Sequence, residues 1–353
     1  MAIKDEPQPL HILFFPFLAP GHLIPIADMA AVFAARGVRC SILTTPANAS
    51  LIRSAVDRAN SFLGSSNGGT QAIDLAVVPF PDVGLPPGAE SSTALSSSKQ
   101  DRDRFHLAVR LLREPFDRFL SDHRVDAVVA DSFFMWAADA ADVHGVPRLA
   151  FLGTSVFARS CTDSMLRHNP VGSAPEDDDP DAVVSLPGLP HRVEFTRELA
   201  RGLDFSGKNF VWGWAPQVLI LNHPAVGVFV MHCGWNSMLE AVTAGVPMVT
   251  WPRYADQFYN EKLVTEVLKV GVGVGSVDFA SKLESRRVII GGEVVAGAIG
   301  RVMGDGEEGE AIRRKSMELG TKARQALEKG ASSYDDVGRL MDELMARRSS
   351  VNV

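Results

Sequence analysis

Residues 214–257 read WAPQVLILNHPAVGVFVMHCGWNSMLEAVTAGVPMVTWPRYADQ. Trp214 and Trp235 offer flat apolar faces on which a base can stack. Gln217, Glu240, Asp256 and Gln257 supply amides and carboxylates that can read hydroxyl groups. Between them, 226–230 reads as a strand, HCGWNS as a turn and 236–243 as a helix. The N–H groups at such a helix start can hold a diphosphate. This inventory suits a nucleotide-sugar. Plainer readings stand beside it: a strand, turn and capped helix without a ligand, a core Trp214, and Asp256 and Gln257 as the opening of helix 256–268.

Outward from that stretch, apolar strands alternate with helices on both sides. On the N-terminal side, 12–17 (ILFFPF) reads as a buried strand, followed by the turn APGH and a helix with Pro25 in its first turn. Further strands are expected at 38–43, 73–79, 126–130 and 147–152, with helices at 104–120 and 134–143. This α/β alternation predicts a parallel sheet covered on both faces, an N-terminal Rossmann-like domain. Residues 82–100 and 170–182 read as surface loops. The segment GLPPGAE within the first is a candidate substrate loop or a plain surface loop. A second αβ pattern begins near residue 194. It has strands at 209–212, 226–230, 247–250 and 286–290 and helices at 236–243, 256–268, 292–303, 308–328 and 332–346. Its C-terminal helices cover more sheet than its strands supply.

A chain of 353 residues accommodates two domains. Its hydrophobic content of 46% and charged content of 22% are those of a soluble globular protein. A net charge of −7 argues against a nucleic-acid partner, which requires a concentrated basic surface. Three cysteines make no disulfide framework and suit a reducing, cytoplasmic setting. No apolar run reaches membrane-spanning length. GVGVGS at 271–276 lacks the spacing of a dinucleotide loop. His223, His232 and Cys233 lack paired metal-ligand spacing, so no metal is expected. The charged run 301–315 reads as a solvated helix face.

His22 falls between the first strand and first helix, at the carboxyl edge of the sheet where ligands bind. Asp131 ends strand 126–130 and reaches the same edge. A carboxylate there can hold one ring nitrogen of His22 and leave the other to accept a proton. The alternative is a turn histidine and an N-cap aspartate that opens helix 134–143. At the second strand–helix turn, Gly234 permits close backbone approach, and Asn236 or Ser237 can cap the helix.

These motifs together resemble the signature box of plant secondary-product UDP-glycosyltransferases. WAPQ, HCGWNS, E-x-x-x-x-GVP and WP-x-x-x-DQ stand in register, and FPFLAPGHLIP, GLPPGAE, ADSFFMWAAD and LPGLPHRVEFTR resemble the same family's N-terminal half. The resemblance implies a GT-B-like α/β fold of two Rossmann-like domains facing a cleft: an acceptor-binding domain over 1–193 and a UDP-sugar-binding domain over 194–353. It implies His22 as catalytic base and Asp131 as its partner. Trp214 would stack on uracil, with Ala215 and Gln217 beside the uridine, and Glu240 would bind the ribose hydroxyls. His232, Gly234, Asn236 and Ser237 would hold the diphosphate, with Trp235 near the sugar. Asp256 and Gln257 would hold the sugar hydroxyls, and a final glutamine leans toward glucose. The implied reaction inverts the anomeric carbon and uses UDP-glucose as donor substrate, with no cofactor or metal. A small hydrophobic phenolic, flavonoid or terpenoid would be the acceptor, and the protein a monomer.

The sequence also departs from that family. Met231 stands where threonine is usual. Arg197 runs directly into ELARGLDFSGKNFVW, and Trp212 meets Gly213 at once. Compared with the family pattern, roughly 130 residues are missing at these two junctions, beyond ordinary loop variation. The C-terminal domain is therefore expected to be incomplete. The alternative functional expectation is a catalytically inactive, truncated member that retains at most weak UDP-sugar binding.

Overall fold

The computed structural model describes residues 9–67, 73–96, 98–168, 183–196, 217–277 and 290–351. It divides into two compact units, Met1–Gly153 with Ser333–Val353, and Thr154–Ser332. The fold is GT-B-like, with one Rossmann-like α/β sheet in each unit. The expected strand 209–212, all but the last residue of the expected strand 286–290, the loop 170–182, and Trp214 and Ala215 lie outside the described residues.

The first unit is organised by β1 (His11–Phe15), whose five residues are all buried. Successive strand side chains point to opposite faces, so both faces of β1 need cover. Ile12 and Phe14 pack against Leu23, Ile26, Ala30 and Phe33 of α1 (Pro20–Ala34) and Ile52 and Val56 of α2 (Pro46–Asn67). Leu13 and Phe15 pack against Phe105 of α3 (Lys99–Leu111), Phe116 and Phe119 of α4 (Arg113–Asp122), and Ala137 and Ala140 of α5 (Ala137–Val143). β1 lies between β2 (Arg39–Thr44) and β4 (Ala127–Asp131). With β3 (Ile73–Val77) and β5 (Arg148–Phe151) they form a parallel sheet of order β3-β2-β1-β4-β5. Ile12 is in register with Cys40 on one side and Ala127 on the other.

Several local expectations change. Helix α1 starts at Pro20, not near Pro25, because Pro20 takes the first-turn position where its missing N–H costs nothing. His22 therefore sits within the first helical turn rather than in a preceding loop. The expected helix 104–120 is two helices that meet at Leu112. Helix α2 was not anticipated at all.

The second unit begins with α6 (Val156–His168), followed by an antiparallel hairpin of β6 (Val183–Ser185) and β7 (Glu194–Thr196). The helix α7 (Gln217–Leu221) precedes β8 (Phe229–Met231), α8 (Trp235–Ala244), β9 (Met248–Thr250) and α9 (Gln257–Lys262). A π-helical turn, Leu263–Leu268, leads into β10 (Gly271–Gly273). The described sheet here has three parallel strands, ordered β10-β9-β8. Met248 faces a cluster with Met231, Met238, Ala241 and Val264. Val249 faces the other way, toward Val272, and toward Ala298 and Val302 of α10 (Gly292–Met303) and Ile312 of α11 (Glu307–Gln325). Met231 is thus absorbed into an apolar cluster.

The units do not coincide with the expected ranges 1–193 and 194–353, for two packing reasons. Ala158 and Cys161 of α6 and Leu186 and Val193 of the hairpin bury themselves against Phe258 and Tyr259 of α9, which places 154–193 with the second unit. The last helix, α12 (Ser332–Val351), joins the first unit. Its Leu344 is buried in the cluster around Ile12 and Phe14, with Val337, Leu340 and Met341 packed alongside. The Arg36 guanidinium stacks 4.0 Å from the centre of the Tyr334 ring and donates to the Tyr334 carbonyl at 2.9 Å. Arg348 pairs with Asp126 at 3.4 Å, and the same Asp126 oxygen accepts the His11 backbone N–H at 2.8 Å. The excess of C-terminal helix over C-terminal sheet is thereby accounted for in part: one helix covers the other sheet.

Two predictions follow from the short sheet. Gly271 lies opposite Met248, and a Cβ added there would overlap the Met248 carbonyl oxygen and approach Val264 Cγ1 to 2.8 Å. Backbone cannot give way cheaply, so Gly271→Ala should destabilise the protein by about 1–3 kcal/mol in chemical denaturation. Two residues along the strand, beside Gly273, Glu261 accepts the Thr250 hydroxyl at 2.8 Å, and burial pushes its carboxyl up to about 7. A carboxyl raised in the folded state keeps its proton while the unfolded chain has lost it. Stability from this group therefore falls as pH rises from the ordinary glutamate range to about 7, and levels off above it. Glu261→Gln should match the parent in thermal melts near about pH 5 and exceed it near about pH 8, by about 2–3 kcal/mol.

Candidate active site and donor-binding turn

In the first unit, β4 ends in Asp131, which is fully buried. His22 Nδ1 lies 2.6 Å from Asp131 Oδ2. Asp131 Oδ1 accepts the Phe133 backbone N–H at 3.0 Å. Both carboxylate oxygens are thus engaged, and the carboxylate, being an acceptor, fixes the proton on Nδ1. Nε2 is left as the acceptor nitrogen. The imidazole sits between Phe17 and Phe133, with ring centres 5.5 Å and 5.2 Å away. Its remaining side is Gly153, just past β5, where a Cβ would come within 2.5 Å of His22 Cε1. Any side chain at 153 would displace the ring. Sequence reasoning missed Gly153, whose only signal is a glycine directly after a strand at the ligand-binding edge. Asp131 does not cap the following helix by its side chain: α5 starts after Trp136 with no side-chain cap.

The loop that contains GLPPGAE lines a cavity of about 300 Å³ together with Pro46, Phe80 and Asp82. Glu90 in this loop accepts the Ala47 N–H at 2.8 Å, and its carbonyl accepts Asn48 Nδ2 at 2.9 Å. The loop is thereby tied to the start of α2.

In the second unit, β8 runs into His232–Ser237. Cys233 adopts a left-handed conformation, φ +64°, and Gly234 is the N-cap of α8. Capping by Asn236 or Ser237 is therefore corrected: both lie inside the first turn, and no side chain caps this end. Gly234 is required because the His232 ring lies against the place its Cβ would occupy. His232 is exposed to solvent, yet desolvation by the protein around it lowers its pKa against the opposing pull of Asp256. Gln217 Nε2 donates to Glu240 Oε2 at 2.7 Å and to Ser237 Oγ at 3.1 Å. This bond pair brings the end of WAPQ to the first turns of α8. Trp235 packs partly against the cluster of Met231 and Met238.

Asp256 precedes α9. Its Oδ2 accepts the Thr154 hydroxyl at 2.7 Å and Asn260 Nδ2 at 2.9 Å. Gln257 is buried, and its Oε1 accepts the backbone N–H groups of Arg253 and Tyr254 at 2.9 and 3.2 Å. Its carbonyl oxygen thus stabilises its own loop. Thr154 and Asn260 lie outside the motifs read from sequence, and nothing in their spacing marks them.

A family model described as UDP-glucoronosyl and UDP-glucosyl transferase matches residues 196–283. The chain is 32% identical to the anthocyanin 3'-O-beta-glucosyltransferase of Gentiana triflora, across 95% of this chain and 98% of the relative. It is 30% identical to the scopoletin glucosyltransferase of Nicotiana tabacum, across 97% and 99%. The Gentiana alignment runs to 483 positions against 353 residues here, so at least 130 of its positions have no counterpart in this chain. Among solved structures, UGT73P12 of Glycyrrhiza uralensis, complexed with glycyrrhetinic acid 3-O-monoglucuronide, is similar with a TM-score of 0.84 and 26% identity, covering 98% of this chain and 97% of that one. On motif, fold and near full-length similarity, the chain belongs to the plant secondary-metabolite UDP-glycosyltransferases, whose common chemistry is transfer of a glycosyl group from a UDP-sugar to a small organic acceptor.

Proposed function

We propose that this chain is a UDP-glucose-dependent O-glucosyltransferase that acts on a hydroxyl of a small hydrophobic acceptor, with inversion at the anomeric carbon. The observation that carries the reading is the His22–Asp131 pair at 2.6 Å, with both carboxylate oxygens engaged and Nε2 left to accept a proton. His22 Nε2 takes the acceptor hydroxyl proton. The freed oxygen pair forms the bond to sugar C1 as the bond from C1 to the β-phosphate oxygen breaks, and UDP leaves with that electron pair. Buried Asp131 stabilises the resulting imidazolium.

For the donor, Trp214 and Ala215 are assigned to uracil by their place in WAPQ. Gln217 and Glu240 meet the ribose, and their mutual bond at 2.7 Å supports that assignment. The turn from His232 through Gly234, Asn236 and Ser237 receives the diphosphate at an uncapped helix start, with Trp235 near the sugar. A lowered His232 pKa favours the neutral ring, which can donate one hydrogen bond without adding charge. Asp256, through its remaining Oδ1, and Gln257, through its amide nitrogen, are assigned to the sugar hydroxyls. Phenolic acceptors are favoured by the aromatic walls of Phe17 and Phe133 beside His22 and by the anthocyanin and scopoletin named for two relatives. Cys40, Cys161 and Cys233 are free, buried thiols, which suits action as a cytoplasmic monomer.

A second reading has its own observation. At least 130 aligned positions have no residue in this chain, and the described second sheet has three strands. Catalysis demands sub-ångström placement, so a chain cut in this way would bind UDP-sugar weakly and turn nothing over.

UDP release measured against a panel of phenols separates the two readings. The catalytic reading expects transfer by the parent chain and a loss of about 10²–10⁴-fold in kcat/KM for both His22→Ala and Asp131→Asn. Equal turnover by His22→Ala would remove His22 as the base, and absence of transfer with every acceptor would favour the binding-only reading. For the donor, UDP-glucose should outcompete UDP-galactose and UDP-glucuronate at one site. A site that reads hydroxyls by paired hydrogen bonds penalises an altered one by leaving polar groups unpaired. Tighter binding of either competitor would overturn the glucose assignment.

A further inference from the structure

Asn260 closes the first turn of α9 and is completely buried. Its carboxamide makes three bonds to three separate segments. Nδ2 donates to the Cys233 carbonyl at 2.9 Å and to Asp256 Oδ2 at 2.9 Å. Oδ1 accepts the Ser155 hydroxyl at 2.8 Å.

The orientation of the amide is forced. The Cys233 carbonyl and Asp256 Oδ2 are both acceptors, so the amide atom that faces them must be the nitrogen, and Oδ1 is turned to the Ser155 hydroxyl, whose oxygen also accepts the Ala158 backbone N–H at 2.9 Å. Both amide hydrogens then point at acceptors. No other side chain of this size offers two donors and one acceptor in a plane. An ionised aspartate would set a second carboxylate against Asp256 and the Cys233 carbonyl, and leucine would leave both acceptors without their donor.

What the two donor bonds hold matters. Cys233 is a non-glycine residue in the left-handed region, a conformation its surroundings must maintain. It stands between His232 and Gly234, so its carbonyl direction sets how the turn enters α8. Asp256 Oδ2 is occupied by Asn260 and Thr154, which aims the carboxylate and leaves Oδ1 outside both bonds.

We infer that Asn260 is a positioning residue that locks the Asp256 carboxylate and the His232–Ser237 turn in one fixed relation, so that the sugar and diphosphate ends of the donor are gripped as a unit. It rests on the donor-site reading above and adds to it a residue that touches no part of the donor.

Calorimetric titration of the full chain with UDP and with UDP-glucose tests it, in the parent, Asp256→Ala, Asn260→Ala and the double variant. Asp256→Ala should weaken UDP-glucose and leave UDP unchanged. Asn260→Ala should weaken both, UDP-glucose by about tenfold. The double variant should bind UDP-glucose less than about threefold more weakly than Asn260→Ala, because the two residues act through one carboxylate. A merely structural role would lower the Tm and give losses that multiply, and multiplying losses overturn the inference. If Asn260→Ala does not fold, Ser155→Ala keeps both donor bonds but removes the partner that anchors Oδ1, and about threefold weaker UDP-glucose binding is expected. Unchanged UDP-glucose binding by that variant overturns the inference. A parent that binds both ligands while folded Asn260→Ala binds them equally well overturns this inference alone. A parent that binds neither overturns the donor-site reading and this inference with it.

Discussion

A parallel sheet sends the carboxyl ends of all its strands to one edge, and the first unit's candidate chemistry depends on that constraint. His22 and Asp131 are 109 positions apart in sequence. They meet because β1 and β4 are neighbours in register, Phe15 opposite Ala130, so the residues that follow each strand emerge side by side. Gly153 arrives from β5, the next strand over, for the same reason. The sheet can hold this alignment because β1 is apolar on both faces and each face is covered by helices whose small and aromatic residues interdigitate with it.

The second unit uses the same edge with less sheet. β8 and β9 deliver the His232–Ser237 turn and the Asp256–Gln257 turn to adjacent places, but three short strands give limited leverage over the loops that follow them. Side-chain hydrogen bonds supply what the sheet does not. Gln217 links to Glu240 and Ser237, and Asn260 links the two turns to Ser155. Buried polar networks of this kind are specific when fully satisfied and costly when one member is lost.

The sequence made the central strands of both units legible, because their apolar runs are short and bounded by turn residues. The strand–turn–helix at 226–244 was legible too, from HCGWNS. Helix α2 was not, since its buried positions Ala49, Ile52, Val56 and Leu63 lie among serines and asparagines that blur the apolar stripe. Helix α6 buries Ala158, Cys161 and Ser164, too small and polar to raise an apolar stripe. The start of α1 was misplaced because two prolines, Pro20 and Pro25, compete for the first turn, and only Pro20 holds it. Periodicity showed that 332–346 is helical but carries no information on which sheet it covers. Of the site, His22, Asp131 and the donor-box residues were visible as residue types at strand ends. Gly153, Thr154 and Asn260 were not, because a contact partner outside a motif has no signature in one sequence.

The return of α12 to the first unit makes that unit discontinuous, with the whole of the second unit threaded between its two parts. Residues up to Gly153 can pair their five strands early in synthesis, yet the face lined by Ile12 and Phe14 lacks its last cover until Leu340, Met341 and Leu344 have been made. Domains usually mature in the order they leave the ribosome. Here the first to begin is the last to finish, and a nascent chain paused anywhere in the second unit presents a strip of exposed apolar sheet to whatever binds such surfaces in the cell.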